Sequence, residues 1–434
     1  MPGFTRCALW GILFLKMNGM SRQIAEADGQ RLCIVLVGLP ARGKSTLALR
    51  LRDGLEAEGL RVRIFNNGVL RRIHYGEASA EPWFYDPDNE EGCKARDYLS
   101  QLNFQEAKVF LDSGGHVAIL DATNAGHNRR DMLEKALEGR CTLYIECVNQ
   151  DEELVAASIQ RKVRLPEFAH MSRAEATEHF LRRIAYYASI YAPLEREANF
   201  VRLDTVNNRI LQEQCSHIVP YYIRIRDIMI SDWVNNLYLV RHGESIFNKE
   251  NRIGGDPPLT EWGMAQARAL AEHFRGKPVP FVFTSARLRS EQAAMPLIAD
   301  HPDSVLMALP EFDEINAGVC DGMTYEEIRQ AYPEEYAARS RDKYHYVYPG
   351  GEGYVSMRER VNKGFRKALF LSGAAPGMLI IGHQAINRMI LALFLYRRNV
   401  DMPFIYVPQD KYYHIAATHH KKLIELVRFV GTAE

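Results

Sequence analysis

The sequence predicts an α/β protein with two three-layer α/β domains, the first of which has a mostly parallel sheet. Two observations predict this fold class. Short apolar segments of strand length alternate with longer helical stretches, which is typical of βαβ units with helices on both faces of a sheet. The length of 434 residues also exceeds that of one ordinary domain, because domains commonly hold about 100–200 residues.

The first half of the chain contributes five predicted strands. Each is a run of four to six mostly apolar residues: Leu32–Val37, Val62–Phe65, Val117–Leu120, Leu143–Cys147 and Phe200–Leu203. The stretch Ile210–Ile218 that follows them is predicted to be helical. The alternation of these strands with helices predicts a parallel sheet in this half.

Strand signals return in the second half at Asn236–Val240, Phe281–Thr284 and Met378–Ile381. The first of these strands leads directly into a new motif, so we predict a domain boundary near Ser231–Asn235. The predicted organisation is an N-terminal extension over residues 1–30, one domain over residues 31–232 and another over residues 233–434.

Composition and charge exclude several classes of protein. The 54 Lys and Arg residues balance 54 Asp and Glu residues, and nucleic-acid binders usually carry a basic excess, so we expect no nucleic-acid partner. The seven cysteines are scattered without a Cys-x-x-Cys pair, which disfavours disulfides and structural zinc and favours the cytoplasm. The apolar run Cys7–Leu15 is too short to span a bilayer, so we expect a packed or disordered extension, or translation that starts at Met17 or Met20, in preference to export, and no membrane association.

A phosphate-binding motif follows the first predicted strand. Residues 38–45 read Gly-Leu-Pro-Ala-Arg-Gly-Lys-Ser, a complete G-x-x-x-x-G-K-S before a helical run over Thr46–Glu58. In such a P-loop, backbone N–H groups and the start of the helix bind phosphates. Lys44 is expected to reach the β- and γ-phosphates, and Ser45 is expected to ligate Mg²⁺. The residues predicted to bind ATP in this motif are Gly38, Ala41, Arg42, Gly43, Lys44, Ser45 and Thr46.

Groups for a phosphoryl acceptor occur after later strands. Asp121 ends the apolar run Val-Ala-Ile-Leu, where a carboxylate can hold Mg²⁺ or orient an acceptor hydroxyl. Thr123 and Asn124 follow in the loop at the end of the strand, which is the usual ligand position in open α/β sheets. Arg71 and Arg72 form a basic pair that is suited to binding a phosphate. The first half is therefore predicted to transfer a phosphoryl group from ATP.

A second set of motifs opens the other half. Arg241-His242-Gly243 ends a predicted strand, and residues 259–267 read Leu-Thr-Glu-Trp-Gly-Met-Ala-Gln-Ala. The remaining motif residues, in chain order, are Asn248, Arg252, Arg289, Glu314 and His383. In type and order this set resembles the histidine phosphatase (phosphoglycerate-mutase-like) superfamily. The resemblance implies hydrolysis of a phosphomonoester.

These residue types fit phosphoryl transfer to a histidine. A histidine that attacks a phosphomonoester must be neutral and oriented, and positive charge must surround the transferred oxygens. We predict His242 as the nucleophile that forms a phosphohistidine. Arg241, Arg289 and His383 are predicted to surround the phosphoryl group. Glu314 is predicted to protonate the leaving oxygen and then to activate water, and we expect no cofactor or metal in this half because the arginines supply the charge.

The two halves together resemble the bifunctional 6-phosphofructo-2-kinase/fructose-2,6-bisphosphatase family over about residues 31–430. The strings GLPARGKS, DATN, RIGGD, AGVC, MTYEEI, YPEE and GHQA are similar to strings of that family. The resemblance implies that ATP, fructose 6-phosphate and fructose 2,6-bisphosphate are the small-molecule substrates, with Mg²⁺ in the kinase half. It also implies substrate-binding roles for Arg71, Arg72, Arg96, Thr123, Asn124, Arg183, Tyr187, Asn248, Arg252, Gly255, Tyr332, Gln384 and Arg388. It leaves open whether two copies form a homodimer.

Two departures from the family pattern bear on binding. The family string Y-R-Y-R-Y-P-K-G-E-S reads YHYVYPGGEG at residues 344–353. Loss of its Arg and Lys is expected to weaken binding of the substrate's 6-phosphate by about 1.5–3 kcal/mol for each lost contact. Arg164 stands where the resemblance implies a Lys near the transferred phosphate, so Arg164 is predicted to bind the nucleotide.

Other hypotheses remain open beside the bifunctional enzyme. They are a P-loop kinase joined to a histidine phosphatase that acts on other metabolites or polynucleotides, a mainly monofunctional member of the family, and a non-catalytic regulator. The missing basic string favours other substrates, whereas Arg71, Arg96 and Arg183 favour fructose 6-phosphate. Lys44 and His242 are both present, which disfavours a non-catalytic regulator.

Overall fold

The computed structural model describes residues 31–216, 218–395 and 398–430. These residues form two compact units, one that ends at Ser231 and one that begins at Asp232. Each unit holds one six-stranded sheet with flanking helices, so the predicted α/β fold class is confirmed. The predicted extension over residues 1–30, with its apolar run Cys7–Leu15, lies outside the described residues. Among the described helices, none is both long enough and apolar enough to cross a bilayer.

The sheet of the first unit contains the five strands predicted for this half and one more. The strands are β1 Leu32–Val37, β2 Val62–Asn66, β3 Val117–Asp121, β4 Cys141–Val148, β5 Asn199–Asp204 and β6 Arg209–Cys215. Their order across the sheet is β2-β3-β1-β4-β5-β6. Neighbours pair in parallel except β6, which runs antiparallel to β5, so the prediction of a mostly parallel sheet is confirmed.

Helices cover both faces of this sheet. They are α1 Lys44–Glu56, α2 Asn67–Tyr75, α3 Glu90–Asp112, α4 His127–Ala136, α5 Glu152–Lys162, α6 Arg173–Ser189 and α7 Tyr222–Ile230, with 3₁₀ turns at Gly76–Ala80, Pro82–Tyr85 and Pro166–Phe168. All six residues of the central strand β1 are buried, which is expected of a strand covered on both faces. Val35 and Val37 of β1 pack in one core cluster with Phe104 of α3.

The helix predicted over Ile210–Ile218 is wrong, because residues Arg209–Cys215 form strand β6. The strand pairs with β5 from Asn199 opposite Cys215 onward. A turn at residues 205–208 joins the two strands, and Asn208 takes a left-handed φ of +48° in it. Because β6 lies at the edge of the sheet and is mostly exposed, its sequence lacks the apolar run that identifies the central strands.

The sheet of the second unit has the order β12-β11-β7-β10-β8-β9. The strands are β7 Val234–Arg241, β8 Phe281–Thr284, β9 Val305–Ala308, β10 Met378–Gly382, β11 Lys411–Ala417 and β12 Lys422–Arg428. The strands predicted at Asn236–Val240, Phe281–Thr284 and Met378–Ile381 are confirmed, and they are neighbours in the parallel part of the sheet. Strands β11 and β12 add an antiparallel edge.

The helices of the second unit are α8 Ile246–Lys249, α9 Glu261–Phe274, α10 Leu288–Asp300, α11 Tyr325–Ala331, α12 Pro333–Arg341, α13 Tyr354–Ser372 and α14 Gln384–Phe394, with 3₁₀ turns at Pro310–Phe312, Gly318–Cys320 and Asn399–Phe404. The register of β7 and β10 places Arg241 opposite Gly382. The residues that follow these two strands, His242 and His383, therefore emerge side by side at the carboxyl edge of the sheet.

A buried ion pair in the first unit holds the loop after β3. Arg130 of α4 lies 2.5 Å from Glu197, and both side chains are almost fully buried. Nη1 of Arg130 also donates to the carbonyl oxygens of Asn124 and Ala125 at 3.1 and 3.0 Å. The guanidinium of Arg130 thus fixes the loop that carries Thr123 and Asn124 through several hydrogen bonds.

Candidate active sites

The P-loop closes around the ammonium group of Lys44. Gly38 follows β1 with a φ of +138°, and a Cβ there would lie 2.6 Å from the carbonyl oxygen of Cys147, so only glycine fits. Lys44 begins α1, and its Nζ donates to the carbonyl oxygens of Gly38 and Leu39, both at 2.7 Å. Burial lowers the pKa of Lys44 to about 8, while the charge of Asp121 opposes that shift. The buried ammonium is held by neutral acceptors and is ready to bind an anion.

Ser45 and Asp121 offer the oxygen atoms that Mg²⁺ prefers. Ser45 is half-buried in the first turn of α1, directly after Lys44. Asp121 is buried at the carboxyl end of β3, where Nδ2 of Asn66 donates to its carboxylate. The charge of Asp121 acts on Lys44, so the carboxylate and the P-loop share one site. The donor chemistry therefore fits Mg²⁺ beside nucleotide phosphates.

The other P-loop residues predicted to bind ATP shape the same loop. Ala41 and Gly43 take left-handed φ values of +63° and +85°, which turn the loop back toward α1. Arg42 is half-buried, its carbonyl oxygen accepts from Oγ1 of Thr205 at 3.0 Å, and burial lowers the pKa of its guanidinium. Thr46 is half-buried in the first turn of α1. These residues keep the loop open at the amino end of α1, where helix N–H groups favour a phosphate.

The structure places Lys162 beside the phosphate site. Arg164 is exposed in the turn after α5, and its contact with the nucleotide stays a prediction. Lys162 is the last residue of α5, and burial with the charges of Arg161 and Arg183 lowers its pKa to about 8, while Asp121 opposes the shift. The sequence did not predict this role for Lys162. The signal that could have found it is that Lys162 lies two residues before Arg164, the position where the family resemblance implies a Lys.

The acceptor loop and the P-loop are joined by their backbones. The N–H of Gly38 donates to the carbonyl oxygen of Thr123 at 3.1 Å. Nδ2 of Asn124 donates to the carbonyl oxygen of Leu36 at 2.8 Å, and Asn124 takes a left-handed φ of +45°. Thr123 and Asn124 are both buried beside Asp121. A phosphoryl donor and an acceptor bound by these loops would meet at Asp121.

A buried cluster with one carboxylate holds the predicted arginine pair. The guanidinium of Arg71 donates to the hydroxyl of Tyr85 and to the carboxylate of Glu167. Nη1 of Arg72 lies 3.4 Å from the same carboxylate. The guanidinium carbon of Arg183 lies 4.8 Å from the centre of the Tyr85 ring. Glu167, which sequence reasoning missed, orients both arginines of the pair.

Arg96 and Tyr187 lie in the same region as this cluster. Arg96 is buried, donates to the carbonyl oxygen of Phe84, and contacts the hydroxyl of Tyr186 at 3.0 Å. Burial raises the pKa of Tyr187, and the charges of Arg183, Arg129 and Arg96 oppose that shift. The predicted residues Arg71, Arg96, Arg183 and Tyr187 are therefore brought together. Arg129, which sequence reasoning missed, joins them through a hydrogen bond to the carbonyl oxygen of Arg96 at 3.3 Å.

In the second unit, the two motif histidines meet at the ends of adjacent strands. The N–H of His242 donates to the carbonyl oxygen of Gly382 at 3.1 Å. The rings of His242 and His383 are 5.0 Å apart at their centres and are inclined by 62°. Both residues are buried. The predicted pairing of these two histidines in one site is consistent with this geometry.

His242 has one ring nitrogen available for attack. Its Nδ1 lies 2.7 Å from the carbonyl oxygen of Gly243, an acceptor, so Nδ1 carries the proton. Nε of Arg289 donates to Nε2 of His242 at 3.2 Å, which requires a lone pair on Nε2. Burial and the charges of Arg289 and Arg241 hold the pKa of His242 well below 6.5. The imidazole is therefore neutral at physiological pH, with Nε2 as the nucleophilic atom.

His383 is held in the same tautomer as His242, but its Nδ1 is the atom that faces no protein partner. Its Nε2 lies 2.8 Å from Oγ of Ser285, and that oxygen already accepts from the N–H of Arg287 at 3.1 Å. No other acceptor lies within hydrogen-bond distance of the Ser285 hydroxyl among the described residues, so this hydroxyl donates to Nε2 of His383, and Nδ1 of the neutral ring carries the proton. Nδ1 is buried without a hydrogen-bond partner in the described chain. An unpaired buried N–H is costly unless a ligand accepts from it, so it is available for a phosphoryl oxygen.

Two arginines and one carboxylate complete this centre. Nη1 of Arg289 donates to the carbonyl oxygen of Gly255 at 2.9 Å. Burial and the charges of Arg388 and Arg289 lower the pKa of Arg241 to about 10, while Glu314 opposes the shift. The Glu314 carboxylate accepts from the N–H of Ala385 at 3.3 and 3.4 Å, in the first turn of α14. A carboxylate beside two guanidiniums can relay a proton to or from a bound phosphomonoester.

A cavity of about 430 Å³ opens onto His242. Most residues predicted for this half line it, namely Arg241, His242, Asn248, Arg252, Arg289, Glu314, Gln384 and Arg388. His383 is fully buried beside His242 and is not among the lining residues. Arg252 is partly engaged elsewhere, since its Nη1 donates to Glu327 at 2.8 Å.

Two predicted substrate residues do not line the cavity. Tyr332 follows the last residue of α11 and has an exposed side chain, whereas Tyr325, at the start of that helix, lines the cavity. The seven-residue separation between these tyrosines is about two helical turns, but α11 ends at Ala331 and the chain turns away before Tyr332. Gly255 lies behind Arg289, and its neighbour Gly254 lines the cavity instead.

The altered string at residues 344–353 borders the cavity through Tyr346 and Tyr348. His345, Val347 and Gly350, which replace the two Arg and the Lys of the family string, are exposed and do not line it. Arg339 of α12 and Lys343, which follows α12, do line it. Burial and the charges of Arg339 and Arg388 lower the pKa of Lys343 to about 8. Arg339 and Lys343 therefore supply positive charge beside the altered string, and the expected weakening of phosphate binding stays a prediction.

Comparison with known proteins gives matches along both units. Residues 20–227 match the 6-phosphofructo-2-kinase family, and residues 237–429 match the histidine phosphatase superfamily, branch 1. The chain is 36% identical over 390 residues to 6-phosphofructo-2-kinase/fructose-2,6-bisphosphatase 4 of Rattus norvegicus, which covers 86% of this chain and 80% of the relative. It is 34% identical over 416 residues to the 6-phosphofructo-2-kinase/fructose-2,6-bisphosphatase of Caenorhabditis elegans, covering 90% of this chain and 86% of the relative.

Among solved structures, the alpha-ribazole phosphatase of Shigella flexneri is similar to part of the chain. The TM-score is 0.41 at 22% sequence identity, and the alignment covers 46% of this chain and 100% of that structure.

The titration of His242 is a testable property of this site. Protonation of Nε2 would remove the attacking lone pair, and the surrounding guanidiniums oppose it. We expect NMR titration of the histidine ring signals, assigned with His242→Asn, to show His242 neutral down to a pH well below 6.5. Arg289→Gln removes one positive charge and should move the midpoint up toward 6.5. Arg341→Gln, on the exposed end of α12, should leave it unchanged.

A midpoint at or above pH 6.5 in the wild-type protein would contradict the assignment of a neutral nucleophile. A midpoint that does not move in Arg289→Gln would show that this guanidinium does not act on the ring.

Proposed function

The chain belongs to the 6-phosphofructo-2-kinase/fructose-2,6-bisphosphatase family, and we propose that its two units carry the two activities of a bifunctional enzyme. The kinase, within residues 31–232, makes fructose 2,6-bisphosphate from ATP and fructose 6-phosphate. The phosphatase, within residues 233–434, hydrolyses the 2-phosphate of that product. The observation that carries this proposal is that each unit has its own phosphate site, one around Lys44 and one around His242.

The kinase step uses the P-loop and the acceptor loop together. ATP phosphates bind to the N–H groups of the P-loop and to Lys44, while Ser45 and Asp121 would hold Mg²⁺. When bound, Mg²⁺ neutralises charge on the β- and γ-phosphates. Asp121 also orients the 2-hydroxyl of the sugar and accepts its proton, while the hydroxyl oxygen bonds to the γ-phosphorus and the bond to ADP breaks. Lys162 provides a further positive charge near Asp121, where charge develops during transfer.

The acceptor's own phosphate requires positive charge away from the P-loop. The cluster of Arg71, Arg96 and Arg183, with Arg72 and Arg129 beside it, supplies that charge. Guanidinium groups suit this task because they bind phosphate oxygens in a bidentate manner. The aromatic side chains of the cluster pack against the arginines and reduce their freedom.

The phosphatase reaction proceeds in two steps through His242. In the first step Nε2 bonds to phosphorus, the ester P–O bond breaks, and Glu314 gives a proton to the leaving sugar oxygen. In the second step Glu314 takes a proton from water, the water oxygen bonds to phosphorus, and the N–P bond breaks to release inorganic phosphate. Arg241, Arg289 and Nδ1 of His383 hold the phosphoryl oxygens in both steps.

A second positive cluster in the cavity favours a substrate with two phosphates. The charges that act on His242 are those of Arg289 and Arg241, whereas the charges that act on Lys343 are those of Arg339 and Arg388. In the part of the chain that the structure describes, no carboxylate lies within ion-pair distance of Arg339, Lys343 or Arg388. This unpaired charge in the cavity suits the 6-phosphate of fructose 2,6-bisphosphate.

The alternative of a broad phosphatase predicts a different distribution of charge. A site that accepts any phosphomonoester needs charge at the reacting phosphate and no second cluster.

We also propose that the enzyme acts in the cytoplasm on soluble substrates, without nucleic-acid or membrane partners, and that the phosphatase needs no cofactor. Whether it forms a homodimer stays a prediction of the family resemblance.

The two activities should be separable by single substitutions. Lys44→Ala is expected to lower formation of fructose 2,6-bisphosphate from fructose 6-phosphate and Mg-ATP by about a hundredfold or more, and to leave hydrolysis unchanged. His242→Ala is expected to abolish hydrolysis and to leave synthesis unchanged, because the nucleophile is lost. Both rates are measured on each purified variant. Loss of both activities in either variant would contradict separate sites, provided that circular dichroism shows a folded protein.

The second cluster should determine substrate choice. Lys343→Gln is expected to raise KM for fructose 2,6-bisphosphate by about tenfold to a hundredfold, which corresponds to about 1.5–3 kcal/mol for one charge-assisted contact. Hydrolysis of p-nitrophenyl phosphate, which has a single phosphate, should change little. The control Arg341→Gln removes a nearby exposed charge and should affect neither substrate. Equal effects of Lys343→Gln on both substrates would favour the broad phosphatase.

A further inference from the structure

Residues 405–409, which we call the strap, contact the phosphatase site at every second residue. The strap joins the 3₁₀ turn at Asn399–Phe404 to β11. The carbonyl oxygen of Ile405 accepts from Nε of Arg388 at 2.8 Å, and that of Val407 accepts from Nη1 of Arg241 at 3.3 Å. Ile405 and Val407 are buried, while Tyr406 between them is exposed. The strap is therefore an extended segment with one side against the site.

Gln409 is the last residue of the strap and the one whose side chain reaches the site. It is half-buried and lines the cavity with His242. Its Nε2 donates to the backbone carbonyl oxygen of His242 at 3.2 Å and to Oδ1 of Asn248 at 3.0 Å. One amide group thus connects the nucleophile's backbone to another cavity residue.

These contacts determine which way the Asn248 amide faces. Oδ1 of Asn248 accepts from Gln409 and also from the N–H of Ser245 at 3.1 Å. An oxygen bound by two donors cannot exchange places with Nδ2 without losing both hydrogen bonds. Nδ2 of Asn248 has no acceptor within hydrogen-bond distance among the described residues. It remains available to the cavity as a donor.

We propose that Gln409 is a positioning residue of the phosphatase, which holds Oδ1 of Asn248 so that Nδ2 presents its hydrogens to the phosphoryl group. This inference rests on the proposed phosphatase function. The reverse orientation would present Oδ1, an acceptor with partial negative charge, to the phosphoryl oxygens. That orientation would repel the group that gains negative charge in the transition state.

The role of Gln409 is distinct from that of a group that binds substrate. Its Nε2 is already occupied by two protein acceptors, so its effect should pass through Asn248. Loss of the hydrogen bond from Gln409 should therefore lower the rate of hydrolysis only in a protein that retains Asn248. A double-mutant cycle measures this dependence directly.

The test compares Gln409→Met, Asn248→Ala and the double variant in the full-length chain. Methionine keeps the length of the side chain and removes the donor. We expect Gln409→Met to lower kcat/KM about tenfold for both fructose 2,6-bisphosphate and p-nitrophenyl phosphate, because both place a phosphoryl group at His242. In the Asn248→Ala background the same change should have less than a twofold effect. Gln330→Met, an exposed glutamine on α11, is the matched control and should change neither rate.

Circular dichroism of each variant reports whether it is folded, and the kinase activity of the same molecules should remain within about twofold of the wild-type rate. If Gln409→Met lowered kcat/KM by the same factor in the wild-type and Asn248→Ala backgrounds, the positioning role would be overturned. An unchanged kcat/KM in Gln409→Met would also overturn it. Wild-type protein that hydrolyses neither phosphomonoester would instead overturn the proposed phosphatase function, and the positioning role with it.

Discussion

The hydrogen bond from Nδ1 of His242 to the carbonyl oxygen of Gly243 is the interaction on which the phosphatase site depends. It fixes the tautomer and leaves Nε2 as the atom that can bond to phosphorus. A neutral ring is also required, and the buried guanidiniums beside it oppose protonation. The parallel register of β7 and β10 makes this arrangement possible, because it places His242 and His383 at one edge of the sheet.

Both units hold their cations in a similar way. Lys44 donates to the carbonyl oxygens of Gly38 and Leu39, and Arg289 donates to that of Gly255. Backbone carbonyls stabilise these groups without cancelling their charge, although Nη1 of Arg289 also lies 3.6 Å from the partly exposed carboxylate of Asp256. The arginine pair at Arg71 and Arg72 differs, since Glu167 binds both. There the carboxylate orients two guanidiniums that would otherwise repel each other.

The parts of the structure that the sequence predicted well are those fixed by local pattern. Buried central strands appear as apolar runs, and the P-loop appears as a contiguous motif. Strand β6 was missed because an edge strand pairs on one side and stays exposed, so the pattern carries little information about it. Lys162, Arg129, Arg339 and Lys343 were missed for another reason. Their roles arise from tertiary placement, since each is an ordinary charged residue in the sequence and becomes part of a site only through the fold.

The claim that His242 is the nucleophile is tested most directly by trapping the covalent intermediate. Wild-type protein would be mixed with fructose 2,6-bisphosphate labelled in the 2-phosphate, quenched within milliseconds and digested, and the label mapped by mass spectrometry. The structure predicts an acid-labile, base-stable label on His242, as expected of a phosphohistidine, in the peptide that contains Arg241-His242-Gly243. A label on another residue, or full hydrolysis without any trapped label on His242, would contradict it.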